Sequence, residues 1–133
     1  MSVTADDLAS VPLFSSLSDD DRETLSGWFE EKSHGEGTRL VGEGASGYSF
    51  FVLADGNVSV TADGREVATL GPGDYFGEMA IIGEGRRLAT VTAATPVRVY
   101  VMFGTEFRRL QATQPELAAQ IEGLMRRRLD ELQ

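Results

Sequence analysis

The segment FGEMAIIGEGRRLATV, residues 76–91, places a glycine and a carboxylate a short loop away from two adjacent arginines. A helical turn that begins near Gly77 would leave backbone N–H groups unpaired, and such groups can hold a phosphate. Arg87 can donate to two phosphate oxygens at once through its planar guanidinium. Glu78 would repel a phosphate unless it accepts a hydrogen bond from a hydroxyl on the same ligand. A ribose 2′-hydroxyl fits that role, and a compact ligand with one phosphate charge, a sugar hydroxyl and a flat base would satisfy every one of these groups.

The charge of the chain makes this segment the first place to look for an anion site. The chain has 133 residues and a formal net charge of −9, which argues against non-specific binding to nucleic acid or anionic lipid. Residues 1–105 contain 16 acidic and 7 basic residues, and Arg86 and Arg87 are the basic residues that cluster there. A bound anion would thus depend on local positive groups.

The composition is that of an ordinary globular protein, with 41% apolar and 25% charged residues. The chain has no cysteine, no apolar run long enough to cross a membrane, and an acidic N-terminus unlike a secretory signal. These features predict a single cytoplasmic domain without disulfides.

Helices are predicted at both ends of the chain. Residues 4–14 favour a short helix and turn, and Ser18 with Asp21 predicts a capped helix that runs to about Lys32. Gly104–Ala112 and a second segment from Pro115 predict the C-terminal helices. The second carries an apolar stripe, which predicts packing on the barrel, pairing with another subunit or closure over a ligand: Leu117, Ala118, Ile121, Leu124, Met125, Leu129 and Leu132.

The middle of the chain, residues 33–103, predicts short strands separated by glycine turns. The strand candidates are Tyr48–Ala54, Asn57–Ala62, Arg65–Leu70, Leu88–Ala94 and Val97–Phe103. Asp55-Gly56 and Asp63-Gly64 predict hairpin turns, and Gly71-Pro72-Gly73 predicts a further break. So many short strands indicate an antiparallel barrel or jelly roll.

Two other motifs fail on their context. Residues 42–47 match the dinucleotide pattern G-x-G-x-x-G, but they lead into a strand sequence rather than a helix. His34 is the single histidine, so a cupin-type metal centre lacks its ligands, and we expect this residue on the surface or at a strand edge. Acyl-transfer chemistry lacks its parts as well. The sequence favours a sensor rather than an enzyme, with no metal site.

Taken together, the motifs resemble the cyclic-nucleotide-binding domain of cAMP-dependent kinase regulatory subunits, catabolite activator proteins and cyclic-nucleotide-regulated channels. The phosphate-binding cassette of that family reads roughly F-G-E-x-A-L, a short loop, then P-R-x-A-T/S-V. The chain matches it with Phe76–Ile81 and Arg86–Val91, without a gap between the glutamate and the arginine. The resemblance implies an antiparallel β-roll with a short cassette helix, N-terminal helices (1–32) and C-terminal helices (104–133).

The resemblance also implies roles for individual residues. Glu78 would contact the ribose 2′-hydroxyl and Arg87 the cyclic phosphate. Backbone amides around Gly77–Ala80, which include Met79, and those of Leu88 and Ala89 would complete the pocket.

Two positions depart from the family pattern. Arg86 replaces the usual proline, which leaves the fold intact but loosens the loop. Leu88 stands where a threonine or serine hydroxyl often assists cGMP binding, so cAMP is expected to bind better than cGMP. If the cassette were kept for folding alone, the chain would instead be a protein-interaction module with a vestigial pocket.

The tail adds a further expectation from the resemblance, because the last helix covers the base in several family members. Arg128 would then approach the pocket, and otherwise it would extend past the apolar stripe into solvent. The helix could also form a homodimer. The regulated effector would be another protein or a domain of a longer chain.

Overall fold

The computed structural model describes residues 3–41, 49–77 and 89–131, and these form two four-stranded antiparallel sheets with helices at both ends. The helices are α1 (Ala5–Ala9), a 3-10 helix (Pro12–Phe14), α2 (Asp19–Ser26), α3 (Gly104–Thr113) and α4 (Pro115–Glu131). The strands are β1 (Glu30–His34), β2 (Arg39–Val41), β3 (Ser49–Asp55), β4 (Val58–Ala62), β5 (Arg65–Leu70), β6 (Tyr75–Phe76), β7 (Thr90–Ala93) and β8 (Val97–Phe103).

The two sheets and the helices form three layers. Sheet A has the strand order β1-β8-β3-β6, and sheet B has the order β2-β7-β4-β5. The helices cover one face of sheet A, and sheet B covers the other. The predicted fold, a mainly β protein built as an antiparallel β-roll with flanking helices, is confirmed.

The alternation of side chains along the central strands explains this layering. On β3, Phe50 and Val52 pack against the helices, whereas Phe51 and Leu53 pack against sheet B. Strand β8 divides in the same way, since its three valines face sheet B and Tyr100 and Met102 face the helices. Apolar residues on both faces make β3 and β8 the centre of the core.

The N-terminal helices begin as predicted, but α2 ends earlier than predicted. Ser18 accepts a hydrogen bond from the N–H of Asp21, as a helix N-cap does. The helix stops at Ser26 with Gly27 as its C-cap, so the predicted extension to Lys32 is wrong. Residues 30–34 instead form β1, because their backbone pairs with β8. This pairing involves residues far along the chain, and no local pattern shows it.

The Asp55-Gly56 turn exists, but it does not form the predicted hairpin. Strand β3 belongs to sheet A and β4 to sheet B, so the chain changes sheets at this turn. Gly56 has φ of 85°, and a Cβ added there would lie 2.3 Å from the carbonyl oxygen of Pro96. The close approach of the 95–96 turn therefore requires a glycine at this position. Asn57, at the start of the crossing, donates its N–H to the hydroxyl of Thr95.

The predicted hairpin at Asp63-Gly64 is confirmed. Ala62 pairs directly with Arg65, which leaves a two-residue loop. Both loop residues have positive φ, 53° for Asp63 and 77° for Gly64, as a type I′ turn requires.

The C-terminal helices pack on the β-roll, which is the first of the three alternatives predicted for the apolar stripe. Leu117, Ala118, Ile121 and Met125 are buried in the cluster that contains the N-terminal helices and the outer face of sheet A. Gln120 also donates a hydrogen bond of 3.3 Å to the carboxylate of Asp21 on α2. The described part of the apolar stripe thus closes the helix layer.

Candidate functional site

The two ends of the 76–91 segment lie in different sheets. Phe76 pairs with Phe51 in sheet A, and Thr90 pairs with Thr61 in sheet B. The chain therefore leaves sheet A after Phe76 and enters sheet B at Thr90. Both points are at the same end of the β-roll as the Asp63-Gly64 hairpin and the start of α3. A segment that spans the end of a β-roll can place ligand-binding groups at its mouth.

Gly77 has the backbone conformation that the segment needs at its start. Its φ is 80°, in the left-handed region that residues other than glycine rarely adopt. The preceding residue, Phe76, is buried and stacks on Phe51 with ring centroids 4.9 Å apart. The stacked pair fixes the end of β6, and the glycine turns the chain away from the sheet immediately afterwards.

The other predicted site residues are only partly within the described structure. Ala89 is half-buried at the start of β7, next to Thr90. Glu78, Met79, Ala80, Arg86, Arg87 and Leu88 lie outside the described residues, and so does the predicted helical turn. Arg128 belongs to α4, but its side chain is outside the described part as well. The roles predicted for these side chains therefore remain predictions.

A feature that sequence reasoning missed lies across sheet B from Thr90. The register between β4 and β5 shifts where Val60 pairs with Ala68 and Thr61 pairs with Glu66, which leaves Val67 unpaired. This bulge leaves the Val67 side chain 60% exposed, an unusual environment for a valine in a strand. Because Thr90, Thr61 and Glu66 form one row across the sheet, the exposed valine lies close to the end of the crossing segment. The sequence of β5, REVATL, does not alternate between polar and apolar residues, so it does not indicate where the register shifts.

An ion pair between β1 and β8 lies on the helix side of sheet A. Arg98 donates a hydrogen bond of 2.8 Å to the carboxylate of Glu31, which raises the pKa of the arginine further, with a smaller effect from Tyr100. Burial raises the pKa of Tyr100, against the opposing effect of its hydrogen bond with Arg98. This group joins β1 to β8 and has a structural role.

Among residues 3–41, 49–77 and 89–131, no cluster of histidine and acidic side chains is arranged to hold a metal ion. In the same part of the chain, no helix is both long and apolar enough to span a bilayer.

Comparisons with known proteins agree with this geometry. The family model of the cyclic nucleotide-binding domain matches residues 31–114. A cAMP-dependent protein kinase regulatory subunit from Hypocrea atroviridis is 32% identical over 90% of the chain, which spans 24% of that relative. The cGMP-dependent protein kinase, isozyme 1, from Drosophila melanogaster is 36% identical over 77% of the chain, which spans 14% of that relative.

A solved structure shows the same fold over almost the whole chain. The structure described as "Sp-2Cl-cAMPS bound to PKAR CBD2" matches with a TM-score of 0.82 and 28% identity, covering 96% of this chain and 83% of that one. The chain belongs to the cyclic nucleotide-binding domain family. It spans a quarter or less of the two kinase-related relatives.

Proposed function

We propose that this domain binds a cyclic mononucleotide at the mouth of the β-roll and prefers cAMP to cGMP. In this proposal Arg87 pairs with the cyclic phosphate and Glu78 accepts a hydrogen bond from the ribose 2′-hydroxyl. The backbone N–H groups of Gly77–Ala80, Leu88 and Ala89 donate the remaining hydrogen bonds. Binding alone is proposed, without a catalytic step.

The observation that carries the proposal is the crossing of the 76–91 segment from sheet A to sheet B, with Gly77 at φ of 80°. The positive φ favours glycine at this position, and because glycine has no side chain, a ligand could approach the backbone closely there. The family match includes the whole segment. Since the chain has a net charge of −9, a phosphate needs a local cation, and the arginine pair supplies it.

The preference for cAMP rests on Leu88 and is the finer part of the proposal. A leucine side chain has no hydroxyl to donate to a guanine base, whereas threonine has one. Relatives named for each of the two nucleotides are similar to this chain, so similarity alone does not choose between them. Leu88→Thr should raise the affinity for cGMP relative to cAMP.

A thermal-shift titration with cAMP, cGMP and 5′-AMP tests both parts of the proposal. A ligand at 100 times its dissociation constant adds roughly 2.7 kcal/mol to the free energy of unfolding. We expect the largest shift with cAMP, a smaller one with cGMP and the smallest with 5′-AMP, whose phosphate is not cyclic. A larger shift with cGMP would refute the preference. No shift with any of them would favour the alternative of an interaction module with a vestigial pocket.

We further propose that α4 reports occupancy of the site to a regulated protein or domain, in the cytoplasm. Ile121 and Met125 pack on the N-terminal helices, so a change at the mouth could reach α4 through that layer. A ligand shifts the helix only if it binds one helix position better than the other. Hydrogen exchange should then show slower exchange in residues 115–131 when cAMP is added. Unchanged exchange would mean that α4, Arg128 included, serves only to pack against the rest of the domain. A homodimer formed through α4 would be detected as a molecular mass in solution that increases with protein concentration.

A further inference from the structure

A pocket lies between the edge strands of the two sheets. Strand β1 is the edge of sheet A, and β2 is the edge of sheet B, so the space between them is open on one side. The pocket has a volume of about 170 Å³ and is lined by Lys32, His34, Arg39, Leu40, Ser49, Phe51, Val101 and Phe103. None of these residues belongs to the proposed nucleotide site.

Two of the basic residues face the interior because of the register of β1. Lys32 pairs with Val99 and His34 pairs with Val97, and both valines are buried between the sheets. Opposing residues of an antiparallel pair have their side chains on the same face. Lys32 and His34 therefore extend from β1 toward the space between the sheets, where an apolar residue would be usual.

Among the residues that the structure describes, the positive charge around this pocket is only partly neutralised. The ammonium of Lys32 lies 3.8 Å from the carboxylate of Glu30, which is at the limit of an ion pair, and 5.4 Å from the centre of the Phe103 ring. Within the described residues, neither Arg39 nor His34 forms a side-chain hydrogen bond or an ion pair. In a chain with a net charge of −9, this local excess of positive charge favours an anionic ligand.

Apart from Ser49, the rest of the lining is apolar, and it sets the size of the ligand. Phe51 and Val101 are buried, and Phe103 is 39% exposed at the rim. A cavity of roughly 150 Å³ lined by apolar side chains is large enough to bind benzene. The pocket therefore combines space for one ring with basic groups at its opening.

We propose that this pocket binds a small organic anion with one carboxylate or similar group and a ring-sized apolar part. The ring would lie against Phe51, Val101 and Phe103, and the anionic group would contact Lys32 and Arg39. The lining residues come from β1, β2, β3 and β8, and none of them belongs to the cassette. The proposal therefore does not depend on cyclic-nucleotide binding.

Titration of the isotope-labelled full chain with benzoate, followed by NMR, tests this proposal. Acetate has the charge without the ring, and benzyl alcohol has the ring without the charge, so these two are the matched probes. We expect benzoate to shift the amide signals of β1, β2 and the end of β8, and to bind more tightly than either probe. Equal effects of benzoate and acetate, or of benzoate and benzyl alcohol, would overturn the proposal.

Three variants locate the bound benzoate. Arg39→Gln should weaken benzoate binding about fivefold, which is the range of an exposed charge pair. Arg108→Gln, at another exposed arginine that lies on α3 outside the pocket lining, should change nothing. Arg87→Ala should leave benzoate binding unchanged even if it abolishes nucleotide binding. Loss of benzoate binding in Arg87→Ala, or no loss in Arg39→Gln, would contradict the assignment. If no probe binds, the charges of β1 serve to protect an edge strand from pairing.

Discussion

Sheet A and sheet B have the same number of strands but very different environments. In β3 of sheet A, Phe50–Leu53 are all buried, whereas in β5 of sheet B five of six residues are exposed. Sheet A is packed between the helices and sheet B, and sheet B has one face in solvent. The comparison indicates that sheet A provides most of the stability of the domain. Sheet B provides an accessible surface beside the segment that arrives from sheet A at Ala89.

The largest expected difference between the sheets is in the cost of removing a side chain. Phe50 is fully buried among aromatic rings on the helix side of β3, so Phe50→Ala should lower the free energy of unfolding by about 3–5 kcal/mol. Val67→Ala, at the exposed bulge of β5, should change it by less than about 0.5 kcal/mol. Urea unfolding measures both. Similar losses in the two variants would show that the sheets contribute equally.

A smaller difference is expected between two glycines with similar φ. Gly64→Ala should lower the free energy of unfolding by about 1–2 kcal/mol, because alanine is disfavoured at φ of 77°. No steric clash adds to this cost, since no atom lies within 4 Å of the added Cβ. Gly56→Ala should cost more, because its Cβ would also lie 2.3 Å from the Pro96 carbonyl oxygen. Thermal unfolding of the two variants compares them directly. Equal melting temperatures would mean that the 95–96 turn moves without cost.

The smallest expected effect is a loss of stability in alkaline solution that is caused by Tyr100 on β8 of sheet A. Burial raises the pKa of Tyr100 above its ordinary value of 10.0, so the folded state keeps the phenol neutral where the unfolded chain has begun to ionise. The contribution of this group is complete below pH 10 and is lost as the pH rises through the folded-state pKa. Between roughly pH 9 and pH 11, where an ordinary tyrosine titrates, the Tyr100→Phe variant should therefore lose less stability than the wild-type chain. Parallel pH profiles for both proteins would exclude Tyr100 as the cause.

Sequence reasoning succeeded where the signal is local. Strands β5 and β8 have the predicted bounds, and the Asp63-Gly64 hairpin follows from the φ values that its two residues tolerate. The cassette could be recognised because its residues carry the chemistry at fixed spacing.

What sequence reasoning missed depends on residues far apart in the chain. Strand β1, with the sequence Glu-Glu-Lys-Ser-His, has no apolar alternation and forms because β8 is available to pair with it. The packing of Gly56 involves the distant 95–96 turn, and the bulge at Val67 depends on the register with β4. The pocket between β1 and β2 could not be predicted at all, because it exists only once both edge strands are placed.

The central claim is that the segment between the sheets holds a cyclic phosphate through Arg87. Calorimetric titration of cAMP into the wild-type chain, Arg87→Ala and Arg86→Ala tests it most directly, with melting temperatures as a control for folding. We predict that Arg87→Ala weakens binding by at least tenfold, because a hydrogen bond to a charged group contributes roughly 1.5–3 kcal/mol. Arg86→Ala should change the affinity much less, because neighbouring side chains in an extended segment point to opposite sides. An Arg87→Ala protein that binds cAMP as tightly as the wild type would contradict the claim.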